Sequence, residues 1–391
     1  MIVGVPKESY PGERRVALVP VVIPNLAKAG LEVVIETGAG EQAGYPDTAY
    51  LEKGAKIAPD RGAVFNTADV VVQVLCYGSN DITGQADLPL MRREQTLIGF
   101  LRPFGSAEVI QQIAHAGVRA FSVELMPRTT RAQSMDALSS MGTICGYKAV
   151  LLAAETSLRI FPMMTTAAGT ITPARVFVIG AGVAGLQAIS TARRLGAVAS
   201  AYDMRPAAKE QVQSLGGRFL ELPLEAKNAQ DARGYGTAQD ETFYARQREL
   251  LTRVVAESDV VITAAVIPGK KSPVLITAEM VEGMAPGSVI VDLAAERGGN
   301  CELTRTGQTV KEHGVSIIGA INLASSVPYH ASQMYARNLT TFLLYMVKDG
   351  KLQLTPQDEI IRETMITNEG EVVNGRVREF FKMPSLKQAD S

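Results

Sequence analysis

Residues 174–197 read ARVFVIGAGVAGLQAISTARRLGA. The apolar run VFVI predicts a buried strand, and LQAISTARRL predicts the helix that follows it. Between them lies Gly180-Ala181-Gly182-Val183-Ala184-Gly185. In such a turn Gly180 permits the tight bend, Gly182 lets the backbone approach a pyrophosphate, and Gly185 lets helix pack closely on strand. Val183 and Ala184 open the helix, whose first N–H groups and positive dipole end suit a phosphate. The next apolar run, VASAYD at 198–203, ends on Asp203. An acid there accepts hydrogen bonds from the ribose hydroxyls of an adenine nucleotide and repels a 2′-phosphate, so the expected ligand is NAD(H) and not NADP(H). Met204 follows, then Arg205, a residue type able to take a 2′-phosphate. A turn used for packing alone carries the same glycines. The order of strand, helix and acid is what favours the nucleotide.

Around this unit, apolar runs alternate with helix-period stretches over most of the chain, which predicts an α/β fold with parallel sheets. IVGVP (2–6), LEVVIE (31–36), ADVVVQVL (68–75), QTLIGFL (95–101) and HAGVRAFSVEL (115–125) precede it. GRFLELPL (217–224), SDVVITAA (258–265), GSVIVDLA (287–294) and VSIIGA (315–320) follow it. VPVVIPNLAKAG (19–30) reads as a helix closed by Gly30. Apolar and small residues at helical spacing over 134–160 predict a long helix bridging two domains, although Gly142 and Gly146 weaken it. SQMYARNLTTFLLYMVKDG (332–350) is helical, and the tail from 352 shows little core pattern. The expected architecture is two Rossmann-like domains with parallel sheets separated by a cleft. Residues 1–137 with 328–391 form an N-terminal α/β domain closed by C-terminal helices, and residues 138–327 bind the nucleotide.

The chain has 391 residues, 46% hydrophobic and 20% charged, which suits two globular cores and excludes a disordered chain. Lys and Arg number 39 and Asp and Glu 40, so there is no electrostatic footprint for nucleic acid. No apolar run is read as long enough to cross a bilayer, and the N-terminus lacks a signal-peptide stretch. Cys76, Cys145 and Cys301 lie far apart, which suits reduced thiols in a cytoplasm better than a disulfide framework or a metal site.

PKESYPGERRVALVP (6–20), with Arg15, resembles the opening of the family that contains alanine dehydrogenase and the NAD(H)-binding component of proton-translocating transhydrogenase. MPRTTRAQSMDALSSMGTICGYKAV (126–150), TAAVIPGKKSPVLIT (263–277) and GSVIVDLAAERGGNCELT (287–304) resemble the transhydrogenase branch. By residue type alone, Arg128, Arg131, Gln133, Asp136 and Ser139 form a polar cluster ahead of the long helix, with Ser134 placed to cap it. That pattern suits an interdomain ligand cleft and also a solvated loop. The resemblance implies that Arg128, Gln133 and Asp136 contact two nicotinamide rings, with Ser139 beside them. It implies that Tyr235, in GYGTAQDETF (234–243), closes over bound NAD(H), where composition alone reads a surface loop. IPGKKSP (267–273) follows a strand at the edge where loops meet ligand, which puts Ala265 and Pro268 against the nucleotide.

There are departures from the alanine dehydrogenase branch. Its substrate lysine and histidine correspond here to Gln73 and Arg102. No evident group then remains to form an imine with a small keto acid or to move its proton. His115 and His313 precede glycines and are expected at helix C-termini, while His330 is a candidate cleft residue. Hydride exchange between two nicotinamides needs no such group, only ring carbons brought to roughly 3–3.5 Å. The resemblance therefore implies a soluble cytoplasmic subunit that binds NAD(H) and works as a homodimer. Its partners would be a membrane-spanning proton-channel subunit and an NADP(H)-binding subunit that holds NADP(H). A self-contained NAD-dependent amino-acid dehydrogenase and a non-catalytic NAD(H) sensor are the alternatives.

Overall fold

The structure is a computed structural model that describes residues 1–221, 237, 239–267 and 269–384. The chain divides into two compact units, Met1–Met141 with Ser325–Ser391, and Gly142–Ala324.

In the first unit the strands are β1 (Ile2–Val5), β2 (Glu32–Glu36), β3 (Lys56–Ala58), β4 (Val70–Leu75), β5 (Thr96–Phe100) and β6 (Arg119–Ser122). They are mutually parallel, in the spatial order β3-β2-β1-β4-β5-β6. Parallel strands must be linked by crossovers, and α1 (Ile23–Lys28), α2 (Asp47–Leu51), α3 (Arg61–Thr67) and α4 (Ala107–His115) lie in those links. Asp60 caps α3 through the Ala63 N–H at 2.8 Å. Gly30, at φ 78°, closes the turn after α1, as its sequence position predicts. His115 lies in the last turn of α4, also as expected.

The helix α5 (Ala137–Thr156) leads into the second unit. It is long and apolar enough to cross a membrane by length and composition, contrary to the reading of the sequence runs. A core helix meets the same criterion, and Ala149, Val150 and Ala153 of α5 are buried in the core of the second unit. Gly142 and Gly146 do not break it. A Cβ on Gly146 would stand 2.0 Å from the Ala184 carbonyl oxygen, so glycine there is what lets α5 approach that backbone.

After an exposed ribbon, β7 (Met164–Thr166) and β8 (Gly169–Ile171), come β9 (Arg175–Ile179), β10 (Val198–Tyr202), β11 (Arg218–Phe219), β12 (Val260–Thr263), β13 (Val289–Asp292), β14 (Thr309–Glu312) and β15 (Val315–Gly319). Their order is β11-β10-β9-β12-β13-β15-β14, parallel except for β14. Helices α6 (Val183–Arg194), α7 (Ala208–Ser214), α8 (Glu241–Ala256) and α9 (Ala278–Glu282) join them. The alternation of each strand sends side chains to two faces. Val176, Val178, Ile262 and Val291 pack with α5 and α6, while Phe177, Ile179, Val261 and Ile290 pack with α8 and α9. Both sheets reverse direction once, between β1 and β4 and between β9 and β12. Open α/β sheets bind ligands at the carboxyl ends of the strands flanking such a switch. His313 is not at a helix end: at φ 51° it forms the tight turn between β14 and β15.

The chain returns through α10 (Pro328–Met346), a small ribbon of β16 (Val347–Lys348) and β17 (Lys351–Leu352), α11 (Glu359–Thr364), β18 (Met365–Asn368), β19 (Glu371–Val372) and α12 (Gly375–Phe380). The tail supplies strands as well as the expected helices. β18 runs antiparallel to β6, and β19 antiparallel to β18, at the edge of the first sheet.

Candidate functional site

The turn between β9 and α6 is held on two sides by the protein's own backbone. Gly180 has φ 97°, and a Cβ there would lie 2.9 Å from the Ala264 carbonyl carbon. A Cβ on Gly185 would meet the Gly180 oxygen at 1.9 Å. Gly182 differs: apart from its two chain neighbours, no residue of the described chain comes within 4 Å of its Cβ direction. That space lies over the N-terminus of α6, whose N-cap is Gly182 and brings no side-chain acceptor. The N–H groups of Val183 and Ala184 are thus in the first turn, where anionic oxygens bind. A dinucleotide pyrophosphate fits this opening, since a Cβ at Gly182 would intrude on it.

Asp203 lies just beyond β10, only 7% exposed in its side chain. Its Oδ2 accepts the Ala181 N–H at 2.8 Å and Arg205 Nη2 at 2.8 Å. Its Oδ1 accepts the Arg205 N–H and Nε, each at 2.9 Å. A carboxylate has about four acceptor directions, so these four donors fill it. The hydrogen bond to Asp203 raises the Arg205 pKa against the opposing effect of burial. Arg205, read from sequence as a potential 2′-phosphate ligand, is turned onto the acid. A ribose hydroxyl reaches Asp203 only by displacing that guanidinium. Met204 is half-buried between them in sequence.

Two residues not singled out from the sequence order the neighbouring edge. Asp292, at the end of β13, accepts Thr263 Oγ1 at 2.9 Å, the Asn300 N–H at 2.8 Å and Thr304 Oγ1 at 2.7 Å. Asn300 then binds Ala265 from both sides, accepting its N–H at 3.1 Å and donating to its oxygen at 2.9 Å. Ala265 is therefore fixed beside the glycine turn. The signal was present in GSVIVD, where a buried strand ends on an acid. Tyr235 and Pro268 lie outside the described residues.

The polar loop belongs to the first unit. It leaves β6 through a 3₁₀ turn (Val123–Leu125) and reaches α5 through another (Gln133–Met135). Arg128 and Gln133 are exposed. Asp136 accepts the Ser139 N–H at 2.8 Å and its Oγ at 2.5 Å. The cap of α5 is thus Asp136 and not Ser134, because Asp136 stands three residues before a first-turn N–H that its carboxylate reaches. Ser134 instead offers its carbonyl to Asn338 Nδ2 at 2.8 Å. His330 is exposed at the start of α10, its ring edge-on to Tyr329.

At the switch between β1 and β4, Gln73 donates to Asp87 at 3.2 Å, and Asp87 is already paired with Arg61 at 2.5 Å. A lysine at 73 would add a second cation to a neutralised pair. Glu8, also missed from the sequence, accepts the N–H groups of Val74 at 2.6 Å and Leu75 at 3.1 Å. Burial, with Glu13 adding, pushes its carboxyl up to about 8 against lowering by those amides and Arg61. Glu124 takes the N–H groups of Leu101 and Arg102 at 3.0 and 2.7 Å, and burial raises it too. Arg102 adopts φ 49° and faces solvent, where it pairs with Asp81.

Comparison with known proteins agrees with this geometry. Residues 4–145 match the family Alanine dehydrogenase/PNT, N-terminal domain, and residues 149–375 match Alanine dehydrogenase/PNT, C-terminal domain. The chain is 45% identical over 377 residues to the first part of NAD(P) transhydrogenase subunit alpha of Rhodospirillum rubrum, covering 96% of this chain and 98% of that one. A solved transhydrogenase structure from Sinorhizobium meliloti is similar with a TM-score of 0.83 at 42% identity, over 96% of this chain and 100% of that one. A solved L-alanine dehydrogenase is more distant in sequence, at 26% identity, with a TM-score of 0.79 over 98% of this chain and 99% of that one. With two Rossmann-like units, a dinucleotide turn in the second and this degree of identity, the chain belongs to the alanine dehydrogenase/PNT family, in its NAD(P) transhydrogenase subunit alpha branch.

Proposed function

We propose that this chain binds NAD(H) at Gly180–Gly185 and exchanges hydride with NADP(H) held by a partner subunit, within a proton-translocating NAD(P) transhydrogenase. The observation that carries the reading is the open approach at Gly182, flanked by two glycines closed by backbone and joined to Asp203 through the Ala181 N–H. The dinucleotide, when bound, supplies the hydride chemistry. The chain's own residues bind and orient it: the α6 N-terminus takes the phosphates, Asp203 the ribose, and Asn300 keeps Ala265 in place. Arg128, Gln133 and Asp136, with Ser139, orient the nicotinamides, a role supported by the family resemblance.

The partners are a membrane-spanning proton-channel subunit and an NADP(H)-binding subunit. The Rhodospirillum rubrum relative, named as a portion of a subunit alpha, supports a multi-subunit assembly. Homodimerisation and attachment to the cytoplasmic face of the membrane through those partners complete the proposal, and both rest on the resemblance.

A self-contained dehydrogenase is the second reading, favoured by Glu8, a half-buried carboxyl held on two main-chain N–H groups at the other switch point and pushed up to about 8. One mixture separates the readings. The protein is incubated with NADH, NADP⁺, an NADP(H)-binding subunit and an acetylpyridine analogue of NAD⁺, and reduction of the analogue is followed. Hydride passes from NADH to NADP⁺ on the partner and back to the analogue, so NADH is oxidised as the analogue is reduced. Rate that vanishes without the partner supports the proposal. Oxidation of alanine with NAD⁺ alone supports the dehydrogenase, and binding without either reaction supports a sensor.

A further inference from the structure

The loop from 128 to 134 is mostly exposed. Between Pro127 and Met135 only Ala132 is fully buried. One tie to a distant element is the Ser134 oxygen on Asn338. A second is Arg131, which lies between Arg128 and Gln133 and has a side chain 56% exposed. Its guanidinium pairs with Asp358 Oδ2 at 3.2 Å and lies 5.6 Å from the centre of the Tyr345 ring. Tyr345, in the last turn of α10, donates its hydroxyl to the same Asp358 oxygen. The other Asp358 oxygen accepts the Ile360 and Ile361 N–H groups at 2.9 and 3.2 Å, which seats the acid on α11. Burial opposes ionisation of Asp358, but the Tyr345 hydroxyl, these amides and Arg131 outweigh it and lower its pKa.

A half-exposed ion pair contributes little to global stability. What this one does is local: it ties the middle of an exposed loop to two elements more than two hundred residues later in the chain. We propose that Arg131, Tyr345 and Asp358 form a clasp of positioning residues that sets the register of Arg128 and Gln133 for the hydride step. The proposal rests on the transhydrogenase reading above. None of the three need touch a nucleotide.

The test uses the full chain with the NADP(H)-binding partner. Arg131→Ala and Tyr345→Phe each lower kcat for exchange by about three- to tenfold, with the KM for NADH changed less than about twofold, since small misplacements of orienting groups cost rate before affinity. Arg131→Lys, which keeps the charge, recovers some of the rate. Limited trypsin digestion after Arg128 is faster in Arg131→Ala than in wild type. Asp358→Asn follows the same pattern, and Arg131→Ala answers the question if loss of the α11 cap unfolds that variant. Wild-type exchange, slowed by Gln133→Ala but unchanged in Arg131→Ala and Tyr345→Phe, overturns the clasp and leaves the reading intact. No partner-dependent exchange in wild type overturns the reading, and the clasp's catalytic role falls with it.

Discussion

Asp203 holds four donors on two oxygens, and this shapes what its loss should do. Asp203→Ala removes the proposed ribose acceptor and releases Arg205. NADH binding is expected to weaken by the roughly 1.5–3 kcal/mol typical of hydrogen bonds to a charged group, while NADPH binding gains relative to it. Fluorescence titration with both nucleotides checks this, and an unchanged ratio of affinities contradicts the assignment. Gln133→Ala is expected to leave NADH affinity nearly intact and to slow exchange with the partner. Glu8 predicts a pH effect. Its folded pKa, about 8, lies above the ordinary 4.5, so the fold holds a proton that the unfolded chain has released. Its contribution is complete below the ordinary value and is lost as pH rises through about 8. The unfolding midpoint of the wild type should therefore fall more steeply from pH about 5 to about 9 than that of Glu8→Gln. Parallel curves would show that Glu8 ionises normally.

The glycine turn and α6 work as one element, and the glycines within it are not equivalent. Gly185→Ala sets a Cβ 1.9 Å from the Gly180 oxygen, so it should destabilise the second unit by about 1–3 kcal/mol, as overpacking does. Gly182→Ala meets nothing in the described chain and should leave the unfolding midpoint nearly unchanged while greatly weakening NADH binding. Thermal melts and NADH titrations on the two variants make the comparison. A stable Gly182→Ala that binds NADH normally would place the pyrophosphate elsewhere. The geometry of this element was legible because its turn is written in consecutive residues. The cap of α5 was not, since Ser134 and Asp136 are both good capping types and only the path of the loop chooses between them.

At the scale of the whole molecule, both units carry the same strand order in their parallel core, yet only the second has the glycine turn at its switch. The first has carboxylates there instead, Glu8 and Glu124 satisfying main-chain N–H groups at the ends of β4 and β5. This division suits a subunit that binds one nucleotide and relies on another protein for the second, and the partner-dependent exchange described above is its test.

Local pattern alone determined the α/β class, most of the strands, the long helix and the glycine turn. Each depends on side-chain period or turn chemistry within a few residues, which spacing along the chain records. The tertiary structure alone decided the partners of those pieces. It paired β18 with β6 across the chain, turned Arg205 onto Asp203, set Gln73 against an Arg61–Asp87 pair and brought Asp358 to Arg131. Such contacts join residues whose separation in sequence carries no period, and a short strand or a buried acid acquires its role only from the neighbour that folding puts beside it.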